Sequence, residues 1–460
     1  MALIKSISGI RGTIGGKKGD NLTPIDIVEC SAAFGYWLSE QGAPKKLVIG
    51  RDGRISGALV SQLVSQTFVS LGFEVIDLGL STTPTVELAV PAFGAGAGII
   101  VTASHNPKQW NALKFLNHQG EFISKEDGET LLKWLSEGRI IFNEVEGLGS
   151  YREEDGYLAE HIEQVFALPD VDVEAVKQKA FKVVVDAVNS TGALSVPPIL
   201  EQMGCEVILI NGEVTGDFAH NPEPLPKHLG QLAEAVVREG ADLGIAVDPD
   251  VDRLAFVNED GSMFGEEYTL VAVADYMLSR NPGASVSNLS STRALRDVTE
   301  KHGGKYYASA VGEVNVVDQM KAVGAEIGGE GNGGIIVSAL HYGRDALAGI
   351  ALFLSHLAQA NMKMSALRAT YPQYEMVKDK IALDASIDLG KLLETLEVAH
   401  KDDPYNTIDG LKIDFPDCWV HLRKSNTEPI IRIYAEAATA EKAADLVNAI
   451  KGEVAEILKN

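Results

Sequence analysis

Short β-branched runs alternate with longer amphipathic stretches over most of this chain. Leu47-Val-Ile-Gly50, Phe73-Glu-Val-Ile-Asp77 and Ala97-Gly-Ile-Ile-Val101 read as buried strands, with helices over 24–40 and 58–71. Strand, helix and strand in turn give a parallel-sheet α/β unit. The rhythm returns with strands at 182–186, 205–210 and 242–247 and a helix at 229–239. A third stretch carries helices near 269–279, 293–302, 314–323 and 345–361. From about Tyr371 the character changes: strands at 407–414, 419–423 and 430–436 precede one closing helix, 440–458, an α+β arrangement. The expected fold class is α/β, with three related mixed α/β units and a C-terminal α+β domain. An acid- and glycine-rich stretch, 136–156, marks the first boundary, and the expected domains are 1–150, 151–257, 258–370 and 371–460.

Composition narrows the function classes. A net charge of -24 over 460 residues argues against a nucleic-acid partner, since affinity for phosphate backbones rests on clustered Lys and Arg. An anionic substrate would therefore need a local positive site. Cys30, Cys205 and Cys418 are odd in number and far apart, which fits a reducing compartment. No stretch approaches the roughly 20 apolar residues of a membrane span, and the first residues lack a signal core. The expectation is a cytoplasmic protein with no membrane partner.

Candidate chemistry gathers at strand ends. Val101-Thr-Ala-Ser-His-Asn-Pro107 follows a buried strand, so Ser104 lies where a strand meets a loop, a usual position for a reactive group in α/β proteins. His105 is a tempting base and joins the candidate catalytic set, yet adjacent side chains of an extended stretch point to opposite sides. Ser8-Gly-Ile-Arg-Gly12 reads as a glycine-flanked loop offering Arg11 to a ligand, or as an ordinary surface loop. Lys114 is a candidate acid/base if burial or cations depress its pKa, or else a solvated lysine at a strand start. Asn189-Ser-Thr-Gly192 precedes a helix and reads best as its cap.

In Asp248-Pro-Asp-Val-Asp-Arg253, carboxylates at every second position converge on one side of an extended segment and demand a cation. Oxygen-only ligands suit Mg²⁺. A calcium-binding helical loop also fits the acid spacing, but Arg253 stands where glycine is needed. A phosphatase with the first Asp as nucleophile is a further alternative. The run 328–334, Gly-Gly-Glu-Gly-Asn-Gly-Gly, reads as a flexible loop whose Glu330 and Asn332 suit sugar hydroxyls. Arg423-Lys-Ser-Asn-Thr-Glu-Pro429, with Arg432 beyond, collects cations, hydroxyls and an amide into a phosphate-site candidate.

Together these stretches resemble the α-D-phosphohexomutase family, with four motifs in family order over essentially the whole chain. The resemblance implies four domains around a central cleft and a phosphoryl group carried on Ser104. It implies Mg²⁺ held by Asp248, Asp250, Asp252 and Ser104, the phosphoryl group steadied by Arg11 and Arg253, and Lys114 managing the proton. Glu330 and Asn332 would hold the sugar, and Arg423, Ser425, Asn426, Thr427 and Arg432 its phosphate. The substrate would be a hexose or hexosamine 1- or 6-phosphate, with the hexose 1,6-bisphosphate as intermediate and activator. A sugar-phosphate phosphatase and a non-enzymatic sugar-phosphate sensor are the alternatives on this scaffold. Two departures stand out. Many bacterial relatives read Gly-Glu-x-Ser-Gly-His where this chain has Asn332 and Gly334, a form closer to archaeal-type members. Gly312-Glu-Val-Asn315 replaces a loop that usually carries a cation.

Overall fold

In the computed structural model, residues 3–6, 9–138, 140–382, 389–424 and 430–458 are described. The chain forms two compact units, 1–269 with 332–367, and 270–331 with 368–460.

The first unit holds a seven-stranded sheet in the order Leu3–Ser6, Gly9–Thr13, Trp110–Leu116, Ala97–Val101, Lys46–Arg51, Glu74–Leu80, Ser150–Glu153. The strand Lys46–Arg51 pairs in parallel with both Glu74–Leu80 and Ala97–Val101, as expected of strands joined by crossover helices. Trp110–Leu116 turns back antiparallel beside Ala97–Val101, so the residues joining them form a tight return. Ser104 lies in that return. The glycine-flanked stretch around Arg11 is a strand, not a loop: Gly9–Thr13 pairs antiparallel with Trp110–Leu116, with Arg11 opposite Ala112. Its glycines masked the alternation that marks a strand. Lys114 likewise sits inside its strand rather than at the start.

A second sheet runs Leu254–Asn258, Leu243–Val247, Lys182–Asp186, Glu206–Ile210. The first two form an antiparallel hairpin, and the aspartate run is its turn. The helix Ala346–Ala360 is buried on nearly every side. Its Phe353 stacks on Phe256 with ring centroids 4.0 Å apart and meets Phe264 edge-on at 5.2 Å, joining 332–367 to the first unit.

In the second unit, Lys305–Ser309, Ala284–Asn288 and Ile327–Glu330 pair in parallel in that order. The antiparallel sheet Glu375–Ala382, Ile430–Ala437, Trp419–Lys424, Leu411–Asp414, Tyr405–Asn406 follows. Leu392 and Leu396 of the helix Leu389–Ala399, with Val447, Ile450 and Val454 of Ala440–Ile457, cover one face through Leu411, Val420, Leu422, Ile431 and Ile433. This is the expected α+β domain, with two strands and one helix more than the pattern announced. Three mixed α/β domains and an antiparallel C-terminal one make up the fold. Among the described residues no helix is long and apolar enough to cross a membrane.

Candidate active site

Ser104 is buried and has φ 47, the left-handed region that a serine rarely adopts. The conformation is held from several sides. Ser104 N donates to Thr102 Oγ1 (2.9 Å), and Thr102 Oγ1 donates to Asp52 Oδ2 (2.6 Å). Asp52 pairs with Arg54 Nε at 3.0 Å, and the fully buried Arg54 fork donates to the carbonyls of Pro107 (2.8 Å), Trp110 (2.9 Å), Asn106 and Ser104. Sequence reasoning missed Arg54. Its signal was the Arg51-Asp52-Gly53-Arg54 run at a strand end, where a buried ion pair needs a reason to exist. The turn also brings His105 Nδ1 to 3.4 Å from Ser104 Oγ. That overturns the argument from extended geometry, which fails because Ser104 is not extended. Burial, then Arg253, Arg344 and Arg11, hold the His105 imidazole well below its ordinary pKa.

Ser104 Oγ donates to Asp248 Oδ2 at 2.7 Å. Asp248, Asp250 and Asp252 are fully buried and each offers a carboxylate oxygen within 4.8 Å of the others. Their convergence comes from a turn, not from strand alternation. Val251 N donates to Asp248 O (3.1 Å), and Val251 takes φ 61, costly for a β-branched residue. Outer contacts brace that turn. Ser190 Oγ and Thr191 Oγ1 donate to Pro249 O at 2.7 and 2.8 Å rather than capping the helix behind them, which corrects the capping reading. Thr83 Oγ1 donates to Asp250 Oδ2 at 2.6 Å. The flanking elements are strands, so the calcium-binding helical loop is excluded.

The electrostatics of this cluster ask for a cation. Burial, then Asp252 and Asp250, push the Asp248 carboxyl well above the usual carboxylate range. Burial acts the same way on Asp252, but Arg344, Lys114 and Arg253 outweigh it and hold that carboxyl low. Among the described residues, Asp250 Oδ1 and Asp252 Oδ1 are buried without a hydrogen-bond partner. Buried carboxylates that converge within 4.8 Å, two of them with an oxygen left without a hydrogen bond, fit a hard divalent ion. Lys114 Nζ lies 2.8 Å from Asp250 Oδ2 and 3.4 Å from Asp252 Oδ2. Burial alone would lower its pKa, but the two aspartates raise it above the ordinary lysine value. The condition set for Lys114 as an acid/base, a depressed pKa, is thus not met, because its neighbours are acids rather than cations.

An anion is wanted beside the cation. The Arg11 pKa is lowered by burial and next by Arg253, and among the described residues the Nε atoms of both are buried without a hydrogen-bond partner. Among the described residues, the acids that Arg253 pairs with are Glu223 at 3.6 Å and Asp252 at 3.9 Å. Two guanidiniums close enough to oppose each other mark a place for phosphoryl oxygens.

In the second unit, Glu330 ends the strand Ile327–Glu330 and accepts from Asn288 Nδ2 (2.8 Å) and Gly312 N (3.2 Å). It lies on a regular element rather than in a flexible loop, and Gly334–Val337 is a strand too. In the first unit, Asn332 Oδ1 accepts from Gly334 N at 3.2 Å. Ser425, Asn426 and Thr427 fall outside the described residues. Arg423 and Arg432 stand directly opposite each other on neighbouring strands, and Lys380 faces Arg432 from the next strand. Arg423 Nε pairs with Asp409 Oδ2 at 3.1 Å. Like charges in register repel, and Asp409 offsets the repulsion at Arg423. Lys380 had no sequence signal, because its partners are fixed only by strand register.

Family comparison divides the chain into four consecutive domains. The four domain models of phosphoglucomutase/phosphomannomutase match in sequence: alpha/beta/alpha domains I, II and III over residues 3–138, 157–261 and 265–374, and the C-terminal domain over 377–453. A phosphoglucomutase/phosphomannomutase of Thermococcus kodakarensis is 36% identical over 94% of this chain and 95% of its own length. A phosphoglucosamine/phosphogalactosamine mutase of Sulfurisphaera tokodaii is 32% identical over 98% of this chain and 99% of its own. The crystal structure of a phosphoglucomutase/phosphomannomutase family protein from Burkholderia thailandensis superposes with a TM-score of 0.86 at 27% identity, covering 99% of this chain and 97% of that one. The chain belongs to the α-D-phosphohexomutase family and is a phosphohexomutase.

Proposed function

We propose that the enzyme interconverts the 1- and 6-phosphates of a hexose or hexosamine through a phosphoserine at Ser104 and a sugar 1,6-bisphosphate. The carrying observation is the 2.7 Å contact between Ser104 Oγ and Asp248 Oδ2, supported by Arg11 and Arg253, whose Nε atoms are buried without a hydrogen-bond partner among the described residues. Phosphate monoesters resist uncatalysed cleavage so strongly that the site must supply most of the barrier reduction through charge and positioning.

In the proposed cycle the P–Oγ bond of phosphorylated Ser104 breaks as a bond forms from phosphorus to a free hydroxyl of the sugar monophosphate. Lys114 is assigned the proton: its ammonium supplies Oγ and it takes back the one released by the hydroxyl. His105, beside Ser104, lines the same loop as a neutral imidazole. Arg11 and Arg253 steady the transferring group. Asp248, Asp250 and Asp252, with an oxygen at Ser104, would hold Mg²⁺, which when bound neutralises charge on the phosphoryl oxygens. The bisphosphate then returns its other phosphate to Ser104, which moves the ester between C1 and C6. Glu330 and Asn332 are assigned to sugar hydroxyls, and Arg423, Ser425, Asn426, Thr427 and Arg432 to the phosphate already on the sugar.

We assign domain roles as phosphoserine (1–150), metal (151–257), sugar (258–370) and phosphate (371–460), and a cytoplasmic setting. The test is mutase turnover of Ser104→Ala against glucose, mannose, glucosamine and N-acetylglucosamine phosphates, each primed with its bisphosphate. Loss of turnover on every sugar supports the reading; normal turnover on the sugar that the wild type uses would end it.

A further inference from the structure

Position 334 has an ordinary backbone conformation, yet no side chain fits there. A Cβ on Gly334 would lie 2.3 Å from Arg344 Cδ and 3.0 Å from its Cγ. The aliphatic stem of Arg344 crosses the space that a residue at 334 would fill. Its head continues to Asp252, with Nη2 2.7 Å from Oδ2. Arg344 is itself buried.

The backbone around Arg344 is anchored from both sides. Arg344 bridges antiparallel to Ile336, and Asp345 N donates to Ile335 O at 2.8 Å. Asp345 then caps the helix Ala346–Ala360 through Leu347 N (2.8 Å) and Ala348 N (3.1 Å). Ala346 N reaches Val251 O at 3.2 Å, on the aspartate turn itself. Behind it His161 Nε2 and His341 Nε2 sit 2.8 and 3.2 Å from Asp345 Oδ2. The guanidinium is therefore delivered to Asp252 from a fixed base. It occupies one carboxylate oxygen, Oδ2, and leaves Oδ1 buried and without a hydrogen-bond partner among the described residues, Arg253 Nε lying 3.9 Å away.

We propose that Arg344 is a positioning residue for the cation site: lying across Gly334, it fixes the Asp252 carboxylate so that Oδ1 faces the ion. Gly334 and Arg344 act as one unit, and the glycine is required because the arginine passes over it. A guanidinium stays charged at every working pH, so the fixed cation beside Asp252 does not titrate. The inference deepens the reading of Asp248, Asp250 and Asp252 as a divalent site and rests on it, but not on any chemistry at Ser104.

The test is calorimetric titration of the dephosphorylated full-length protein with Mg²⁺ alone, with thermal unfolding as a check on folding. Partners of a metal ligand are typically worth roughly 10–100-fold in affinity. Arg344→Ala is expected to raise the Mg²⁺ Kd at least ~10-fold, and Arg344→Lys to recover only part of it, since an ammonium keeps the charge but loses the fork. Gly334→Ala is expected to raise Kd comparably in the wild type, yet by less than ~2-fold in the Arg344→Ala background, a non-additivity that measures the contact. Independent effects at the two positions would overturn the proposal. So would a tighter Kd in Arg344→Ala, which would mean that the charge merely opposes the ion. No Mg²⁺ binding by the wild type would instead overturn the underlying metal-site reading.

Discussion

The guanidinium of Arg54 donates to the carbonyl oxygen of Ser104, and the same fork reaches the carbonyls of Asn106, Pro107 and Trp110. The left-handed turn that exposes Ser104 Oγ to Asp248 is thus held from behind by one buried side chain, itself neutralised by Asp52. Arg54→Met would leave Asp52 buried without its partner, an error worth about 3–5 kcal/mol. Urea unfolding at neutral pH should register that loss. Arg54→Lys should fold but load Ser104 with phosphate poorly, because one ammonium cannot hold four carbonyls. Full loading of the lysine variant would show that the turn stands without the fork.

The aspartate cluster destabilises the metal-free protein. Asp248→Asn removes one of the mutually repelling carboxylates, so in chelator its thermal midpoint should equal or exceed that of the wild type. Added Mg²⁺ should raise the wild-type midpoint and leave the variant nearly unmoved, since only a bound ion stabilises the native state by mass action. An equal rise in both would remove Asp248 from the ligand set.

His341 bears on stability against pH. Burial alone would lower its pKa, but Asp345 and then Glu87 outweigh it and raise the imidazole to about 10. A folded-state value above the unfolded one, about 6.5, stabilises fully below that lower pH and loses its contribution as pH rises through about 10. The stability gap between wild type and His341→Gln should therefore be widest near pH 6 and close toward pH 10, as denaturant curves at both ends will show. A gap independent of pH would mean that the imidazole is not held charged.

Lys380 stands in register with Arg432, which faces Arg423. Lys380→Glu should raise KM for the sugar phosphate several-fold while kcat changes less, and the effect should shrink at high ionic strength, as expected for an exposed charge. A change confined to kcat would place Lys380 outside phosphate recognition.

Much of this site was legible in the residues, for reasons that also explain what was not. Three acids in a short run betray a cation wherever they fold, and Ser104 after a buried strand betrays a reactive turn. Thr83 and Arg344 gave no such sign, and Ser190 pointed only to a cap, because each acts through a contact far away in sequence. Lys114 was a candidate acid/base only if burial or cations depressed its pKa, and the aspartates that raise it instead lie well over a hundred residues along the chain. The helix Thr83–Ala92 announced itself through Thr82 at its N-cap and Pro84, a signal available and not used. The strand Glu375–Ala382 hid behind its charges, since an exposed edge carries Lys and Asp where a central strand carries Val and Ile.

The central claim is that Ser104 lends a phosphoryl group and takes another back. Incubating the purified enzyme with Mg²⁺ and a hexose 1,6-bisphosphate labelled at both phosphates, then quenching and mapping by mass, tests it most directly. The account predicts label on Ser104 alone, chased by unlabelled hexose 1-phosphate into bisphosphate. Label on an aspartate, or an enzyme that turns over without ever holding label, would contradict it.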